Sequence, residues 1–528
     1  MSSVAIEVRR PRLLATARSV WPTALLGCLV VAGARWGPDW PAQEFRAWLA
    51  GHGNLSAWTN HWYGGQALPG YSVLYPPLSA VLGAGGVGLV SVIAAAWGAD
   101  TLRPSGGVAL RRCYRVAVAV SLLESLVIGQ IPFLMGAAFG VWSLWAVRTR
   151  RPVLALVLAA GCSLGSPLAG GFLLMIAPAW ALSTSWRRAA PLLAGATGIV
   201  ASAILGGASG PFPCPWQSLV GVLAFSLGVV VMTTRDERAL RCFALCYSAA
   251  ALVAFAVPNP IGGNIGRIGK LIAMPLAVHL LTGRSMRSRA AVTVAALTAL
   301  VWPGVPFATS VAEGARDPSQ YAAYYRGLNN FLRTQDPTSG RLEIPFTRGH
   351  WEAMWVAQSF PIARGWERQA DLQVNKVLYN PLDKQGYRHW LDDNAVELVA
   401  LPNVAIDSGG QAEAKLLRRP PGYLQPIWHN RDWQVWRVQN ARPLTRGVAT
   451  MSRLDEASFT LRFAEPGTAV VRIRASKMWE ITSGAGCVQA SPDGWLTVHS
   501  ALAGELTVSA KVGLGLVSPP NQCTGPAT

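Results

Sequence analysis

Two carboxylates beside the first long apolar segment have the residue type and position needed for general base catalysis. Glu44 stands in WPAQEFRAWLAGHG, and Asp39 lies five residues before it, just after the apolar segment 19–35. A carboxylate at a membrane–water boundary can take a proton from an acceptor hydroxyl. EFRAWLA also predicts a short amphipathic segment lying in that interface. The alternative for Glu44 is a structural acid, paired with Arg46 or placed at a helix N-terminus.

An aromatic loop, SAWTNHWYGGQALPGYSVLYPP, follows at 56–77. His61, Trp62 and Tyr63 precede a pair of glycines, and Tyr75 precedes a pair of prolines. Aromatic faces bind sugar rings through apolar contact, and glycine allows the backbone to approach a ligand closely. These four residues are therefore predicted to bind substrate. The alternative is an aromatic belt at the membrane interface.

Charged residues inside or beside apolar segments form a second group. Glu124 lies in the apolar run VAVAVSLLESLVIGQIP, where an ionisable side chain is costly and is a functional hypothesis by default. Its alternative role is a hydrogen bond to a neighbouring helix while protonated. Asn264, Arg267 and Lys270 lie in PNPIGGNIGRIGK. The two cations could hold a lipid phosphate or pyrophosphate, or they could contact anionic lipid in general.

The last polar cluster lies in the C-terminal half of the chain, around TRGHWEAMW and ARGWERQAD. His350, Arg364 and Arg368 are predicted to contribute to the substrate site. The alternative is an ordinary polar surface with ion pairs. The sequence contains no HExxH, CxxC pair, P-loop or GxSxG motif, so soluble hydrolase, kinase and zinc-site functions have no motif support, and no metal ligands are predicted.

Composition places these residues in a membrane protein. Charged residues make up 14% of the 528 residues and hydrophobic residues 51%, whereas soluble domains carry roughly 25% charged residues. Apolar runs long enough to cross a membrane recur until about Val305 and then stop. About eleven transmembrane helices are predicted, near 19–35, 76–98, 113–129, 131–147, 152–166, 168–184, 189–208, 216–233, 241–257, 268–283 and 288–304.

The basic residues predict how these helices are oriented. Before residue 306 the chain carries 23 basic and 7 acidic residues. With the N-terminus in the cytoplasm, 19 of the 23 basic residues fall in short cytoplasmic loops, which is the positive-inside pattern. The prediction is a multi-pass plasma-membrane protein with an extracytoplasmic C-terminal region. Because the positive charge is explained by topology, a nucleic-acid partner is not expected.

The C-terminal region shows two different sequence patterns. Residues 306–445 mix helical stretches with polar loops and two strand-like pieces, whereas short alternating strands follow from about 456. This predicts an α+β region that ends in a small antiparallel β-sandwich. The predicted domains are 1–305, 306–445 and 446–528. Cys487 and Cys523 could pair if this region faces an oxidising compartment.

The order of these motifs resembles a known group of proteins. An acid follows the first helix, then come W-x-x-x-WYGG-x-x-x-PGYSVLYPPL over Trp58–Leu78, PNPIGGNIGR at 258–267 and ARGWERQ at 363–369. This resembles the actinobacterial polytopic proteins related to the membrane domain labelled pyruvoyl-tetrahydropterin synthase-related, a label that implies no pterin chemistry. The layout is similar to that of the GT-C superfamily of membrane glycosyltransferases. The resemblance covers most of the chain.

The resemblance implies a GT-C-like transmembrane domain and a function. Such enzymes transfer a sugar, here with inversion, from a polyprenyl-phosphate or pyrophosphate donor to a glycan or lipid acceptor. Their catalytic acid in the first external loop corresponds to Glu44, with Asp39 in reserve. Arg267 would contact the donor phosphate, assisted by Lys270 or by a divalent metal such as Mg or Mn; no other cofactor is expected. The C-terminal strands would form a carbohydrate-binding-like module.

Two other functions fit the same features. A transporter or flippase of lipid-linked glycan would move its substrate without forming a glycosidic bond, although the scarcity of charge inside the apolar segments argues against ion coupling. A non-catalytic glycan-binding scaffold would keep its function without Glu44 and lose it without the C-terminal region. The sequence does not predict the sugar, the lipid carrier, the acceptor or the oligomeric state.

Overall fold

A computed structural model describes residues 13–52, 58–68, 71–104, 106–204, 210–234, 236–281, 289–511 and 522–523. The chain divides into two compact units. The first, called the helical unit, consists of Met1–Trp40, Gly70–Ala203 and Gly210–Ala315. The second, called the mixed unit, consists of Pro41–Pro69, Ile204–Ser209 and Arg316–Thr528, and it contains both helices and strands.

The helical unit contains one helix before the aromatic loop and a series of helices after it. Helix α1 spans Leu13–Gly33, and α2 (Trp40–Gly51) belongs, apart from its first residue, to the mixed unit. The later helices are α3 (Tyr75–Leu102), α4 (Val108–Ile128), α5 (Ile131–Arg148), α6 (Pro152–Gly165), α7 (Pro167–Ser183), α8 (Trp186–Ala189), α9 (Thr197–Ile204), α10 (Trp216–Met232), α11 (Arg238–Ala256), α12 (Gly266–Leu281) and α13 (Arg289–Gly314), with 3-10 turns at Ala190–Ala196 and Gly262–Ile265.

The prediction of about eleven membrane spans is not confirmed. Among the described residues, three helices are both long and apolar enough to cross a membrane, namely α3, α5 and α11. The segments α6, α7, α10 and Ser19–Gly33 are apolar but shorter. The predicted span 189–208 does not form one helix, because a 3-10 turn interrupts it at Ala190–Ala196. Most predicted segments coincide with a helix, but several of these helices are shorter than the roughly 20 residues that a span needs. A helical N-terminal region with apolar helices is confirmed.

Local sequence explains where several of these helices begin and end. Proline occupies the first turn of α3, α5, α6 and α7, where its missing N–H costs nothing. Gly129 ends α4 in the left-handed conformation, with φ 90°, and its N–H donates to the Leu126 carbonyl. Helix α4 packs against α12. The polar residues described below lie near the C-terminal end of α4 and at the start of α12.

The mixed unit contains short helices and three small four-stranded sheets. Its helices after α2 are α14 (Ala322–Leu332), α15 (Glu352–Trp355), α16 (Arg368–Val374), α17 (Lys384–Asp393) and α18 (Gln411–Leu417). Its strands are β1 (Trp58–Thr59), β2 (Gln66–Ala67), β3 (Arg341–Glu343), β4 (Val396–Pro402), β5 (Leu424–His429), β6 (Trp433–Val438), β7 (Thr445–Gly447), β8 (Ala449–Leu454), β9 (Ser458–Phe463), β10 (Gly467–Arg474), β11 (Trp479–Ser483), β12 (Gly486–Ala490), β13 (Trp495–Ser500) and β14 (Gly504–Ala510).

The strand pairing confirms the predicted antiparallel C-terminal region. The sheets β12-β13-β10-β7 and β11-β14-β9-β8 are antiparallel throughout and share one apolar core. A third sheet, β3-β4-β6-β5, pairs β3 with β4 in parallel. Cys487 and Cys523 form a disulfide. The three-domain division predicted from the sequence stays a prediction.

Candidate functional site

The structure brings Asp39 and Arg267 together from positions 228 residues apart. The Arg267 Nη2 donates to Asp39 Oδ2 at 3.0 Å, and the two side chains are 17% and 22% exposed. The Arg267 guanidinium also hydrogen-bonds the Tyr71 side chain. All three residues belong to the helical unit. Because the pair is only partly exposed, a ligand can reach it, while its charges are less screened than a pair in bulk water.

The end of α4 holds the Asp39 segment in place. The N–H groups of Gly37 and Asp39 donate to the carbonyls of Val127 and Ile128 at 3.0 and 3.2 Å, and the Trp40 indole donates to Val127 at 3.1 Å. These bonds satisfy carbonyls that a helix C-terminus otherwise leaves without partners. A side chain at Gly37 would collide with the Ile128 backbone, so this close approach requires glycine.

A buried tyrosine fixes the start of α12. The Tyr247 hydroxyl donates to the Ile265 carbonyl at 2.7 Å and accepts from the Gly269 N–H at 3.2 Å, and the side chain is fully buried. These two bonds bracket Arg267 on both sides along the chain. The preceding loop is ordered by Asn259, whose Oδ1 accepts from two successive backbone N–H groups. The Arg267 side chain therefore leaves from a rigid main chain.

Lys270 adds a second cation one helical turn after Arg267. Its Nζ lies 5.8 Å from the centre of the Trp302 ring, and it has no carboxylate within ion-pair distance among the described residues. Asn264 lies half-buried in the 3-10 turn just before α12. Asp39 pairs with Arg267 and not with Lys270, so Lys270 offers a positive charge suited to an anion.

Glu124 and Tyr75 lie in the same unit with different surroundings. Glu124 is 9% exposed and lies on α4 about one turn before the carbonyls that bind the Asp39 segment. It makes no ion pair with another described residue. Tyr75 is fully buried at the start of α3, and its N–H donates to the Ser72 hydroxyl at 3.1 Å. This places Tyr75 in the packing of α3, not at an exposed surface.

Glu44 lies half-buried on α2 in the mixed unit. The sequence left a pairing of Glu44 with Arg46 open, and in the structure Arg46 contacts Glu367 at 3.3 Å. Glu367 also accepts a hydrogen bond from Gln66. The Phe45 ring stacks on Trp62 with the ring centres 4.4 Å apart. Helix α2 is therefore anchored through Phe45 and Arg46.

His61, Trp62 and Tyr63 were expected to contact substrate, but all three are buried within the mixed unit, at 7%, 0% and 2% exposure. The Trp62 indole donates to the Ala353 carbonyl at 3.0 Å, and the Tyr63 hydroxyl donates to the Gly365 carbonyl at 2.7 Å. Burial lowers the pKa of His61 and raises that of Tyr63 well above its ordinary value. This geometry gives the three side chains a packing role.

The predicted cluster His350, Arg364 and Arg368 is a buried network rather than an open surface. Arg364 binds Asp371 through two hydrogen bonds of 3.0 and 2.6 Å. Burial alone would lower the pKa of Arg364, but Asp371 and two buried glutamates raise it well above its ordinary value. Arg368 pairs with Asp407 at 2.7 Å.

His350 in this network is neutral near pH 7. It stacks on Trp366 with the ring centres 3.3 Å apart and an interplanar angle of 7°. Burial lowers its pKa to about 3, more than nearby Asp407 raises it. Its φ of 60° is rare for a residue other than glycine. Stacking and burial hold this strained backbone in place, so the network stabilises the mixed unit.

Two residues that shape the site were not predicted from the sequence. Tyr71 stands inside the motif PGYSVLYPPL without any feature that sets it apart from its aromatic neighbours. Tyr247 lies in an apolar run, where a single tyrosine is most often a core residue. Tyr71 contacts Arg267, 196 residues later, and Tyr247 contacts Ile265, 18 residues later, and no local pattern specifies either contact.

Comparisons with known proteins give a limited likeness. No protein-family model matches the chain, and no curated protein matches it. A cryo-EM structure of the arabinofuranosyltransferase AftD from Mycobacteria aligns with 88% of this chain and 41% of its own, at 14% identity and a TM-score of 0.42. Two structures of an AftD point mutant cover 96% and 88% of this chain, at 12% and 15% identity and TM-scores of 0.44 and 0.42.

The chain spans between 41% and 60% of the length of these three structures. Their TM-scores are too low to establish a shared fold. The resemblance to the family labelled pyruvoyl-tetrahydropterin synthase-related stays a prediction, because no family model matches.

Proposed function

We propose that this protein is a membrane glycosyltransferase that transfers a sugar from a polyprenyl-phosphate-linked donor to a hydroxyl of a cell-envelope glycan or lipid. The Asp39–Arg267 pair beside Lys270 carries this proposal. The site has two properties: cations that could bind a phosphate, and a position in a unit rich in apolar helices that could hold a lipid chain. A lipid-linked phosphate ester is the class of ligand that matches both properties.

The donor phosphate is assigned to Arg267 and Lys270. Arg267 lies in the first turn of α12, where the helix dipole also favours an anion. A guanidinium binds two phosphate oxygens at once, and the ammonium adds a second charge. Both cations would stabilise the negative charge that develops on the leaving phosphate in the transition state.

The two predicted carboxylates are given different roles. Asp39 is already engaged with Arg267, so we assign it to holding that guanidinium toward the phosphate. The role of general base stays with Glu44 on the ground of the resemblance given above, not of a contact in the structure. The acceptor oxygen forms a bond to the anomeric carbon, the bond from that carbon to the phosphate oxygen breaks, and its electron pair stays on the phosphate. The acceptor proton passes to the Glu44 carboxylate.

A divalent metal is not assigned to this step. Among the described residues no group of three or more His, Cys, Asp or Glu side chains is arranged to hold one. Asp39 is a single carboxylate that already binds a cation. The described residues therefore do not fit a metal held by side-chain ligands, and in this proposal Arg267 and Lys270 meet the charge of the phosphate.

The test is a transfer assay in lipid nanodiscs with a panel of radiolabelled polyprenyl-phosphate sugars. Arg267→Gln should weaken donor binding roughly 10- to 100-fold, as expected for losing a charged hydrogen bond. Glu44→Gln should keep donor binding and lower the turnover by about 10²–10⁴. Arg187→Gln, an exposed arginine of the same unit, is the matched control and should behave as wild type.

Each outcome decides between functions. Transfer that is undiminished in Glu44→Gln would remove Glu44 from the base role. Donor binding that is unchanged in Arg267→Gln would remove the proposed phosphate site and with it the proposal. Saturable donor binding without transfer to any acceptor would favour a flippase or a glycan-binding scaffold.

A further inference from the structure

An apolar cavity of about 210 Å³ lies inside the helical unit. Residues of α3, α4, α5, α6, α7 and α12 line it, and Tyr114 supplies the only hydroxyl group among the lining side chains. An apolar cavity of this size gives water no polar partners. Protein interiors rarely keep such space empty, so a hydrocarbon chain is the class of group that fits it.

Three arginines lie close in the chain to residues at one end of this cavity, although none of them lines it. Its lining includes Leu102, Tyr114 and Leu144. Arg103 follows Leu102 in the sequence, Arg115 follows Tyr114, and Arg148 lies one helical turn after Leu144. The Arg148 side chain reaches the Thr101 carbonyl at 3.5 Å, which places it at the last turn of α3. Asp100 binds Arg103 and Arg115, and the Thr101 carbonyl binds Arg148. The three guanidinium groups are therefore held around the end of α3, where Leu102 lines the cavity.

These arginines exceed the carboxylates available to them. Asp100, with its side chain 4% exposed, accepts from both Arg103 and Arg115 at 2.8 Å. Among the described residues Arg148 has no carboxylate partner. Asp100 and Glu124 are the only acids in the sequence between residues 70 and 203. The cluster therefore carries a net positive charge, and Arg103 and Arg115 are 30% and 37% exposed and open to a ligand.

We infer that this is a binding site for an anionic phospholipid. The lipid phosphate contacts Arg103, Arg115 and Arg148, and one acyl chain fills the cavity beside them. The cavity distinguishes this site from a general attraction of basic loops to anionic headgroups, because it adds a fixed apolar surface to the charge. The inference is independent of the proposed transfer reaction.

The arginine cluster is separate from the Asp39–Arg267 pair, and the cavity extends between them to Ile268, which follows Arg267. Arg115 and Ile128 lie 13 residues apart on α4, which corresponds to about 20 Å along the helix. One cluster lies near the start of α4 and the other at its end. A donor lipid bound at Arg267 and a phospholipid bound at Arg103 would therefore place their phosphates at opposite ends of this helix.

The test is native mass spectrometry of the full-length protein in detergent, titrated with phosphatidylglycerol and with phosphatidylcholine. Wild type should bind the anionic lipid at least 10-fold more tightly than the zwitterionic one. The double variant Arg103→Gln with Arg148→Gln should lose at least 10-fold in affinity for phosphatidylglycerol, and the matching lysine variant should retain most of it. Ala137→Leu, which fills part of the cavity, should also weaken binding, whereas Arg187→Gln should not.

Three results would overturn the inference. Equal binding of the two lipids would show that charge does not select the ligand. Competition by inorganic phosphate as strong as that by the lipid, with Ala137→Leu unaffected, would identify an anion site without a chain. Loss of the bound lipid in Arg267→Gln but not in the Arg103 and Arg148 variants would assign the cavity to the other end of the unit. The lysine variant keeps the test decisive if the glutamine variant does not fold.

Discussion

The buried carboxyl of Glu352 predicts a loss of stability as the pH rises. Burial raises its pKa to about 8, although hydrogen bonds from Thr347 act in the opposite direction. The Thr347 hydroxyl and N–H donate to its two oxygens at 2.5 and 3.2 Å. The His350 ring nearby is neutral in this pH range, so it provides no compensating charge. Glu352 is therefore protonated in the folded protein at neutral pH.

The sign and size of the effect follow from this pKa. The unfolded chain releases this proton near pH 4.3, whereas the folded chain keeps it until about pH 8. The associated stability is present at low pH and is lost as the pH rises through the folded pKa. At about 1.4 kcal/mol per pKa unit, raising the pH from about 5 to about 8 should cost the native state about 3–4 kcal/mol.

Glu352→Gln isolates this contribution, because an amide keeps the shape and stays neutral. The variant should match wild type near pH 5 and exceed its unfolding free energy by about 3–4 kcal/mol near pH 8. Hydrogen exchange of the backbone segment 341–360 in the full-length protein measures this difference. Other buried acids titrate equally in both proteins and cancel. The exposed Glu465→Gln is the control. A constant difference between variant and wild type at both pH values would refute the reasoning.

Two further predictions concern packing and position. Gly365→Ala should destabilise the mixed unit by about 1–3 kcal/mol in thermal unfolding, because the added methyl group collides with the buried Trp62 ring; Gly422→Ala, which meets no atom within 4 Å, should be near neutral, and equal effects would contradict this account. Tyr247→Phe removes the hydroxyl that binds the backbone on both sides of Arg267, and should weaken donor binding about five-fold at unchanged turnover. Phe225→Leu, which removes a ring contact to the same tyrosine but no hydrogen bond, should leave donor binding unchanged.

The elements that depend on local pattern were well predicted from the sequence. Alternating residues in FTLRFA, AVVRIRAS and GELTVSAKV correspond to β9, β10 and β14. Side chains alternate between the two faces of a strand, so a strand with one buried face can be recognised from alternating apolar and polar residues. The strand-like pieces at 397–406 and 433–440 likewise correspond to β4 and β6.

The number of spans was harder to predict because hydropathy does not measure helix length. The predicted pair of spans 152–166 and 168–184 corresponds to α6 and α7, with 14 and 17 residues, whereas a span needs about 20. Ser166 separates them in an extended conformation, and its side chain accepts from the Ala169 N–H as the cap of α7. This division was predicted correctly from the sequence, and a capping serine followed by a proline accounts for it; what the prediction missed is that neither helix reaches the length of a span.

The aromatic loop at 56–77 shows that a local sequence pattern does not determine whether its residues bind a ligand or pack in a core. Aromatic residues and glycines fit a sugar site and a packed hairpin equally well. In the structure Trp58 enters the core of the C-terminal sandwich, and its ring centre lies 5.1 Å from that of Trp479. The Trp62 indole bonds a carbonyl 291 residues away. Both contacts join segments distant in sequence, and no spacing within the loop specifies them.

Burial of this loop also determines which substitutions can inform on chemistry. Replacing Trp62 or Tyr63 removes core contacts, so a loss of activity would follow from misfolding whether or not the loop meets substrate. Asp39 and Arg267 differ, because each is partly exposed and their separation costs a partly screened pair, on the order of 1 kcal/mol or less after discounting for solvent. Their substitution can therefore abolish the proposed phosphate site while leaving the fold intact. A change in donor affinity at Arg267, measured in a protein of unchanged stability, reports on binding alone.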